Sequence, residues 1–215
     1  MGEFETLDQD EPLAQRMERH AYDRMIMLSD GVFAIAITLA AIEIHPPANW
    51  DQTAGSLLEI TGPALTSYAI AFIVISAYWM AHRRMIAMLR RVDGPATMLN
   101  LALLALVALQ PAAIRLLTDY RINGAAGHIY YGQILLMGVT QVALWLYAWF
   151  AGLVDPSIRR RTRLFILGNI MVVPLIGSWV GVSLGRTSNF TAYILVLVLI
   201  VVSVTRRAIA RRLGV

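Results

Sequence analysis

The stretch RMIMLSDGVFAIAITLAAIEI, from Arg24 to Ile44, decides the fold of this chain. It is long enough to cross a membrane as a helix, because about 20 residues at ~1.5 Å each span the ~30 Å hydrocarbon core. Near its start it carries Asp30. An ionised carboxylate in hydrocarbon costs about 3 kcal/mol or more, so it normally has a partner or faces water. The segment therefore predicts a membrane helix with a polar anchor.

The composition agrees with a membrane protein. Of 215 residues, 58% are hydrophobic and only 15% are charged, whereas about a quarter of a soluble domain is charged. Cysteine is absent, which excludes disulfides and thiolate metal sites. The four histidines are scattered, and the sequence lacks Gly-x-Ser-x-Gly, His-Glu-x-x-His and Gly-rich phosphate motifs. We expect no enzyme activity, no cofactor and no bound metal beyond permeating ions.

The apolar residues form six blocks, which predict an all-α, polytopic protein with six transmembrane helices. The first twenty residues are polar and acidic, so we expect no signal peptide. We divide the chain into an acidic N-terminal segment (1–24), a six-helix transmembrane domain (25–206) and a basic tail (207–215). The predicted spans are 25–44, 62–82, 97–118, 128–151, 164–184 and 189–206.

Arginine placement predicts the orientation. All eighteen basic residues are arginine, and fifteen of them fall on one side of the six predicted spans. Basic loops stay in the cytoplasm, so both termini are expected there. The charges lie where membrane topology requires them and could also contact anionic lipid headgroups. They indicate no nucleic-acid partner. The three arginines on the other side are Arg115, Arg121 and Arg186.

The first helix has two different faces. At about 100° per residue, one aliphatic stripe is centred on Ile35, and Asp30 points about 140° away from it. The stripe has two interpretations: contact with lipid or neighbouring helices, or the wall of a pore in which aliphatic rings gate by dewetting. The residues that share this face are Leu28, Gly31, Ile35, Thr38, Leu39 and Ile42.

Asp30 also has two interpretations. It can form a structural ion pair or polar network, with Arg24 six residues earlier as one partner. Alternatively it belongs to a proton or ion relay. Because Asp30 faces away from the stripe, the angles favour a structural role, and we expect neighbouring helices to bury its carboxylate.

Three residues on the next two spans are candidate partners for Ser29 and Asp30. Trp79 and His82 are three residues apart and share a face of the second span. Their ring N–H groups suit a hydroxyl or a carboxylate. Asn100 lies near the start of the third span, at the same predicted depth. We also expect Pro111 to kink that span, with the neighbouring Gln110 satisfying a freed carbonyl.

The motif Arg24-x-x-x-Leu28-Ser29-Asp30, followed by Gly31-Val-Phe-Ala-Ile-Ala-Ile-Thr38-Leu39, resembles the signature of the transmembrane protein 175 potassium channels. That signature is Arg-x-x-x-Phe-Ser-Asp at the start of the first helix. The segment Tyr78-Trp79-x-x-His82 and the residue Asn100 also resemble family positions. Leu28 departs from the pattern, since the family has Phe there.

The resemblance implies a homotetramer in which helix one of each subunit lines a central pore. It implies an aliphatic constriction at Ile35, Leu39 and Ile42, with Thr38 contributing to selectivity for potassium over sodium. It further implies one polar network that contains Arg24, Ser29, Asp30, Trp79, His82 and Asn100. Bacterial members have one six-helix repeat per chain, as this sequence does.

The sequence is thus interpreted as a subunit of a potassium-permeable cation channel in a bacterial plasma membrane. Its expected partners are further copies of itself, potassium ions and membrane lipids. With no Thr-Val-Gly-Tyr-Gly filter, the expected selectivity is modest. Two alternatives stay open: a proton-coupled secondary transporter that uses Asp30 and His82, and a non-conducting membrane scaffold.

Overall fold

The computed structural model describes residues 13–42, 44, 50, 53–119 and 125–184, and every regular element of appreciable length in this part is α-helical. The all-α class expected from the sequence is therefore confirmed. We number the helices in chain order: α1 Leu13–Ile42, α2 Ala54–Ile86, α3 Gly94–Ala108, α4 Gln110–Asp119, α5 Ala125–Phe150 and α6 Arg160–Leu184.

Five of the six predicted spans correspond to these helices. By length and composition, four segments in the described part can cross a membrane: Arg16–Ile42, Ala64–Ile86, Gly94–Leu116 and Ala125–Phe150. Helix α1 begins at Leu13, about three turns before the predicted span, so it includes half of the segment expected as an N-terminal tail. The sixth predicted span (189–206) and the basic tail (207–215) lie outside the described residues.

The predicted third span is broken at Leu109, between α3 and α4. Pro111 explains the break, because its ring nitrogen cannot donate to the carbonyl one turn earlier. The amide of Gln133 on α5 donates to the Leu106 carbonyl at 2.8 Å. The expectation that Gln110 would satisfy a freed carbonyl is wrong, since its amide has no hydrogen-bond partner among the described residues.

Helices α1, α2, α6, α5 and α3 form a closed ring in which each packs on the next, and α4 packs on α1, α2 and α5. The α5–α6 contact is very close: a Cβ added to Gly138 would overlap the ring of Pro174. Small residues permit such approaches between membrane helices.

The buried apolar residues form two separate clusters along the bundle. The loop-end cluster is centred on Met25, Met85, Ala96, Leu144 and Ile166. The distal cluster is centred on Phe33, Tyr78, Leu103, Met137 and Val173.

The loop-end cluster adjoins two loops that are hydrogen-bonded to each other. The backbone N–H of Arg90 donates to the Leu153 carbonyl, and that of Asp155 donates to the Met88 carbonyl, both at 3.0 Å. Leu89 and Val154 form an antiparallel bridge there. The α2–α3 and α5–α6 loops, each rich in arginine, therefore lie at the same end of the bundle, as the topology prediction required. We call it the arginine end.

Candidate functional site

Ser29 is the buried member of the motif on α1. It is 2% exposed, and its hydroxyl donates to the Met25 carbonyl at 2.7 Å. The side-chain amide of Asn100 on α3, which is fully buried, donates to the same hydroxyl oxygen at 3.1 Å. A single hydroxyl thus joins α1 to α3 from inside the bundle.

Asp30 is bonded on the other side of α1. The indole N–H of Trp79 on α2 donates to Asp30 Oδ1 at 2.8 Å, and a hydrogen bond to a carboxylate is stronger than one between neutral groups. Asp30 itself is exposed in the single chain. The expectation that neighbouring helices bury its carboxylate is therefore wrong for this chain alone, because the helix turn that buries Ser29 directs Asp30 outward.

His82 is 2% exposed, and neither ring nitrogen has a hydrogen-bond partner among the described residues. Its ring contacts that of Phe33 on α1, with centroids 5.6 Å apart. A cleft of about 150 Å³ lies between α1 and α2, and the residues that line it include Ser29, Asp30, His82 and Arg83. The motif aspartate and the histidine therefore share one cleft without a direct bond.

Arg24 lies outside these contacts. Its side chain is exposed, and no ion pair joins it to Asp30 in the part of the chain that the structure describes. A different arginine lies over the indole of Trp79: the guanidinium carbon of Arg83 is 5.5 Å from the ring centroid. Arginine over an indole face is a favourable cation–π arrangement.

The aliphatic stripe occupies the exposed face of α1. Ile35 is 58% exposed, Leu39 42% and Ile42 69%. Leu28, Gly31 and Thr38 are also exposed, whereas Phe33, Ala36 and Ala40 on the opposite face are buried. The sequence periodicity therefore identified correctly which residues of α1 share one face.

Thr38 is the one hydroxyl on that face. Its Oγ1 donates to backbone carbonyls of its own helix, 3.1 Å from Ala34 O and 3.0 Å from Ile35 O. Because the proton is used within the helix, the oxygen retains lone pairs as an acceptor. An exposed acceptor of this kind can contact a cation.

Sequence reasoning missed Tyr22, Phe33 and Arg83 as neighbours of the site. Tyr22 lines the cleft and donates to the Ile86 carbonyl at 3.0 Å. Helical spacing could have found two of them, since Tyr22 lies seven residues before Ser29 and Arg83 four after Trp79. The His82 contact of Phe33 depends on α1–α2 packing and has no local signal.

The fold and the site together define a multi-pass α-helical membrane protein with an exposed aliphatic helix face. The family described as "Endosomal/lysosomal potassium channel TMEM175" matches residues 24–111, which contain the motif, Trp79, His82 and Asn100. Potassium channel B446_29190 of Streptomyces collinus is 33% identical over 158 residues, covering 68% of this chain and 77% of that protein. The chain belongs to the TMEM175 potassium channel family.

A solved structure and a human relative extend the comparison. The crystal structure of a lysosomal potassium-selective channel TMEM175 homolog from Chamaesiphon minutus matches with a TM-score of 0.69 and 27% identity, covering 88% of this chain and 97% of that chain. The human endosomal/lysosomal proton channel TMEM175 is 24% identical over 162 residues, and the match spans 32% of that protein. The resemblance noted from the motif is confirmed, and relatives named as channels agree with the expectation of a non-enzyme.

Proposed function

We propose that this chain is the subunit of a potassium-permeable cation channel, assembled as a homotetramer with α1 of each subunit around a central pore. Relatives named as potassium channels support the ion. The observation that carries the proposal is the exposed aliphatic face of α1, on a helix whose other face is fixed inside the subunit. We further propose a bacterial plasma membrane location, six spans, lipid contacts at the arginine end and cytoplasmic termini.

The constriction is assigned to Ile35, Leu39 and Ile42. Each presents an aliphatic side chain to the outside of the subunit, and these residues lie about one turn apart along α1. Four copies of such a face around an axis would form stacked apolar rings. Rings of this kind block ions by excluding water, so small changes in polarity there control conduction.

Selectivity is assigned to Thr38, which lies between the first two rings. Its oxygen is an acceptor facing outward, because its proton is donated to carbonyls of α1. Four hydroxyl oxygens can replace part of the hydration shell of a cation. With one such ring and no dedicated carbonyl filter, the preference for potassium over sodium is modest.

The polar network is assigned an anchoring role. Ser29 with Asn100, and Asp30 with Trp79, attach α1 to α3 and α2 on either side of the helix. A pore helix has to hold its exposed face toward the axis, and two bonds on different sides resist rotation. We include Arg24 and His82 in this network, with Arg24 exposed and therefore able to meet an adjacent subunit.

A second candidate function is proton-coupled transport or proton permeation. It is favoured by the cleft that Asp30 and His82 share, and the human relative is named a proton channel. Intramembrane carboxylate and imidazole groups are typical of proton pathways.

The test is flux through purified protein in liposomes under potassium or sodium gradients. A channel gives non-saturating flux with potassium preferred. Saturating flux that requires a proton gradient would favour the transporter, and no flux from a folded oligomer would favour a scaffold.

The absence of native cysteine allows a direct test of assembly. Leu39→Cys is expected to form disulfide-linked subunits under mild oxidation, because the rings bring equivalent residues together at the axis. Leu136→Cys, at an exposed position on α5, is the matched control and should remain monomeric on a denaturing gel. Cross-linking of the control alone would contradict the pore assignment.

A further inference from the structure

A layer of buried polar side chains divides the core of the subunit. Each helix of the five-membered ring contributes one residue to it, at or close to the boundary between the distal and the loop-end cluster on that helix. All are at most 6% exposed: Ser29, His82, Asn100, Gln141 and Asn169.

Contacts between neighbouring helices place these residues near one level of the bundle. On α3 and α5, Tyr147 donates to Asp93 and Gln133 to Leu106, so this antiparallel register sets Asn100 beside Gln141. On α5 and α6, the approach of Gly138 to Pro174 sets Gln141 beside Asn169. Ser29 is already bonded to Asn100. Since the five helices form a closed ring, side chains buried at one level face a common interior.

Three members of the layer carry polar atoms with no partner among the described residues. These atoms are Nδ1 and Nε2 of His82, Oδ1 of Asn100, and Nε2 and Oε1 of Gln141. Buried polar groups in folded proteins are nearly always hydrogen-bonded, to protein or to ordered water. Three such side chains at one level, on three helices, indicate a shared partner.

We propose that His82, Asn100 and Gln141 form an internal water site behind the pore helix. The set contains both donors, on Gln141 and the imidazole, and acceptors, on Asn100 and Gln141. Water can satisfy both kinds, whereas a bare cation needs acceptors alone and would be repelled by the amide N–H groups. Because a buried water makes about three hydrogen bonds, five atoms suit about two waters.

The cleft provides the route to this site. It is lined by Ser29 and His82, the layer members on α1 and α2. Because the Asn100 amide donates to the Ser29 hydroxyl, the same cleft leads to Asn100 as well. The site thus lies inside each subunit and is separate from the exposed face of α1.

The decisive experiment is a structure of the full chain in its natural oligomer, at a resolution that reveals ordered water. We expect solvent density within hydrogen-bond distance of His82 and of at least one of Asn100 and Gln141. Direct bonds between Asn100 and Gln141 with no solvent density would overturn the proposal. So would a rubidium or thallium anomalous peak at this position after soaking, which would indicate a cation.

Two glutamine variants on α5 give the control. Gln141→Leu removes one partner and should eliminate part of the density and shift the ¹⁵N resonances of His82. Gln133→Leu, whose amide bonds the Leu106 carbonyl outside the layer, should leave both unchanged. Identical His82 resonances in wild type and Gln141→Leu would count against the site. If Gln141→Leu does not fold, the wild-type density alone decides.

Discussion

The two faces of α1 have opposite surroundings. Phe33, Ala36 and Ala40 are at most 3% exposed, whereas Ile35 and Ile42 on the other side are more than half exposed. Both faces are apolar, so hydrophobicity does not distinguish them. Buried polar contacts do, since Ser29 attaches the inner face to Asn100. One face therefore holds the helix in the subunit, and the other is left exposed, where we propose that it lines the pore.

The different roles of the two faces can be tested by measuring the stability of the protein and its ion flux in separate assays. Variants on the buried face should lower stability and affect conduction only through loss of folded protein. Variants on the exposed face should change conduction while stability is nearly unchanged.

Phe33→Ala should have the largest effect on stability. Removing a fully buried phenylalanine typically costs ~3–5 kcal/mol, and here it also removes the ring contact with His82. Thermal unfolding in detergent measures the loss. Phe72→Ala on α2, where the ring is 43% exposed, is the control and should cost much less. Equal losses at both positions would show that the buried face has no special role.

Asp30→Ala should lower oligomer yield and thermal stability, since it leaves the Trp79 indole without its acceptor. Hydrogen bonds to charged groups contribute ~1.5–3 kcal/mol, and because Asp30 is exposed, solvent screening makes this range an upper limit. Asp23→Ala, an exposed acid on the same helix, should be almost neutral in size-exclusion and thermal assays. A fully stable Asp30→Ala oligomer that has lost only transport would favour the relay interpretation.

Thr38→Ala should change the potassium/sodium permeability ratio and leave protein yield unchanged. Each hydroxyl contact is worth ~1 kcal/mol, and only the difference between the two cations enters the ratio, so we expect a change of about fivefold. Thr140→Ala is closely matched, because Thr140 also donates to the carbonyl four residues earlier on an exposed helix face. Bi-ionic potentials measure the ratio. A loss of yield without a change of ratio would assign Thr38 to packing.

The smallest effect is expected at Asp155, which belongs to neither face. Hydrogen bonds from the Ser157 side chain and backbone N–H, the latter at 2.8 Å, hold the pKa of Asp155 below its ordinary value of 3.8. Its stabilisation of the loop is therefore complete above the ordinary value and is lost as the pH falls through the lowered one. Ser157→Ala should reduce this acid dependence of the unfolding midpoint, and an unchanged pH profile would contradict the assignment.

The sequence predicted those features of the molecule that depend on local periodicity. Helix geometry places Ile35, Leu39 and Ile42 on one face, and the motif indicated the family. Burial of Ser29 in place of Asp30 could not be derived, because it depends on where α2 and α3 pack.

The break at Leu109 illustrates a partial success. Pro111 indicated a kink, but the carbonyl of Leu106 is satisfied from α5 by Gln133, and no local rule identifies a donor on another helix. Gln141 escaped notice for a similar reason. A single glutamine in an apolar span belongs to no motif. Its neighbours can be identified only when the relative positions of the helices along the bundle are known.

We propose that the exposed face of α1 is a pore wall. Potassium-driven flux through Leu39→Asn and wild type, compared in liposomes, tests this assignment directly. The amides introduced into the Leu39 ring should wet the constriction. A barrier lowered by ~1.4 kcal/mol is a tenfold rise in rate, so we predict basal flux at least ~10-fold above wild type. Leu136→Asn on α5, at comparable exposure, should match wild type. Wild-type flux from Leu39→Asn, in a folded oligomer, would contradict the account.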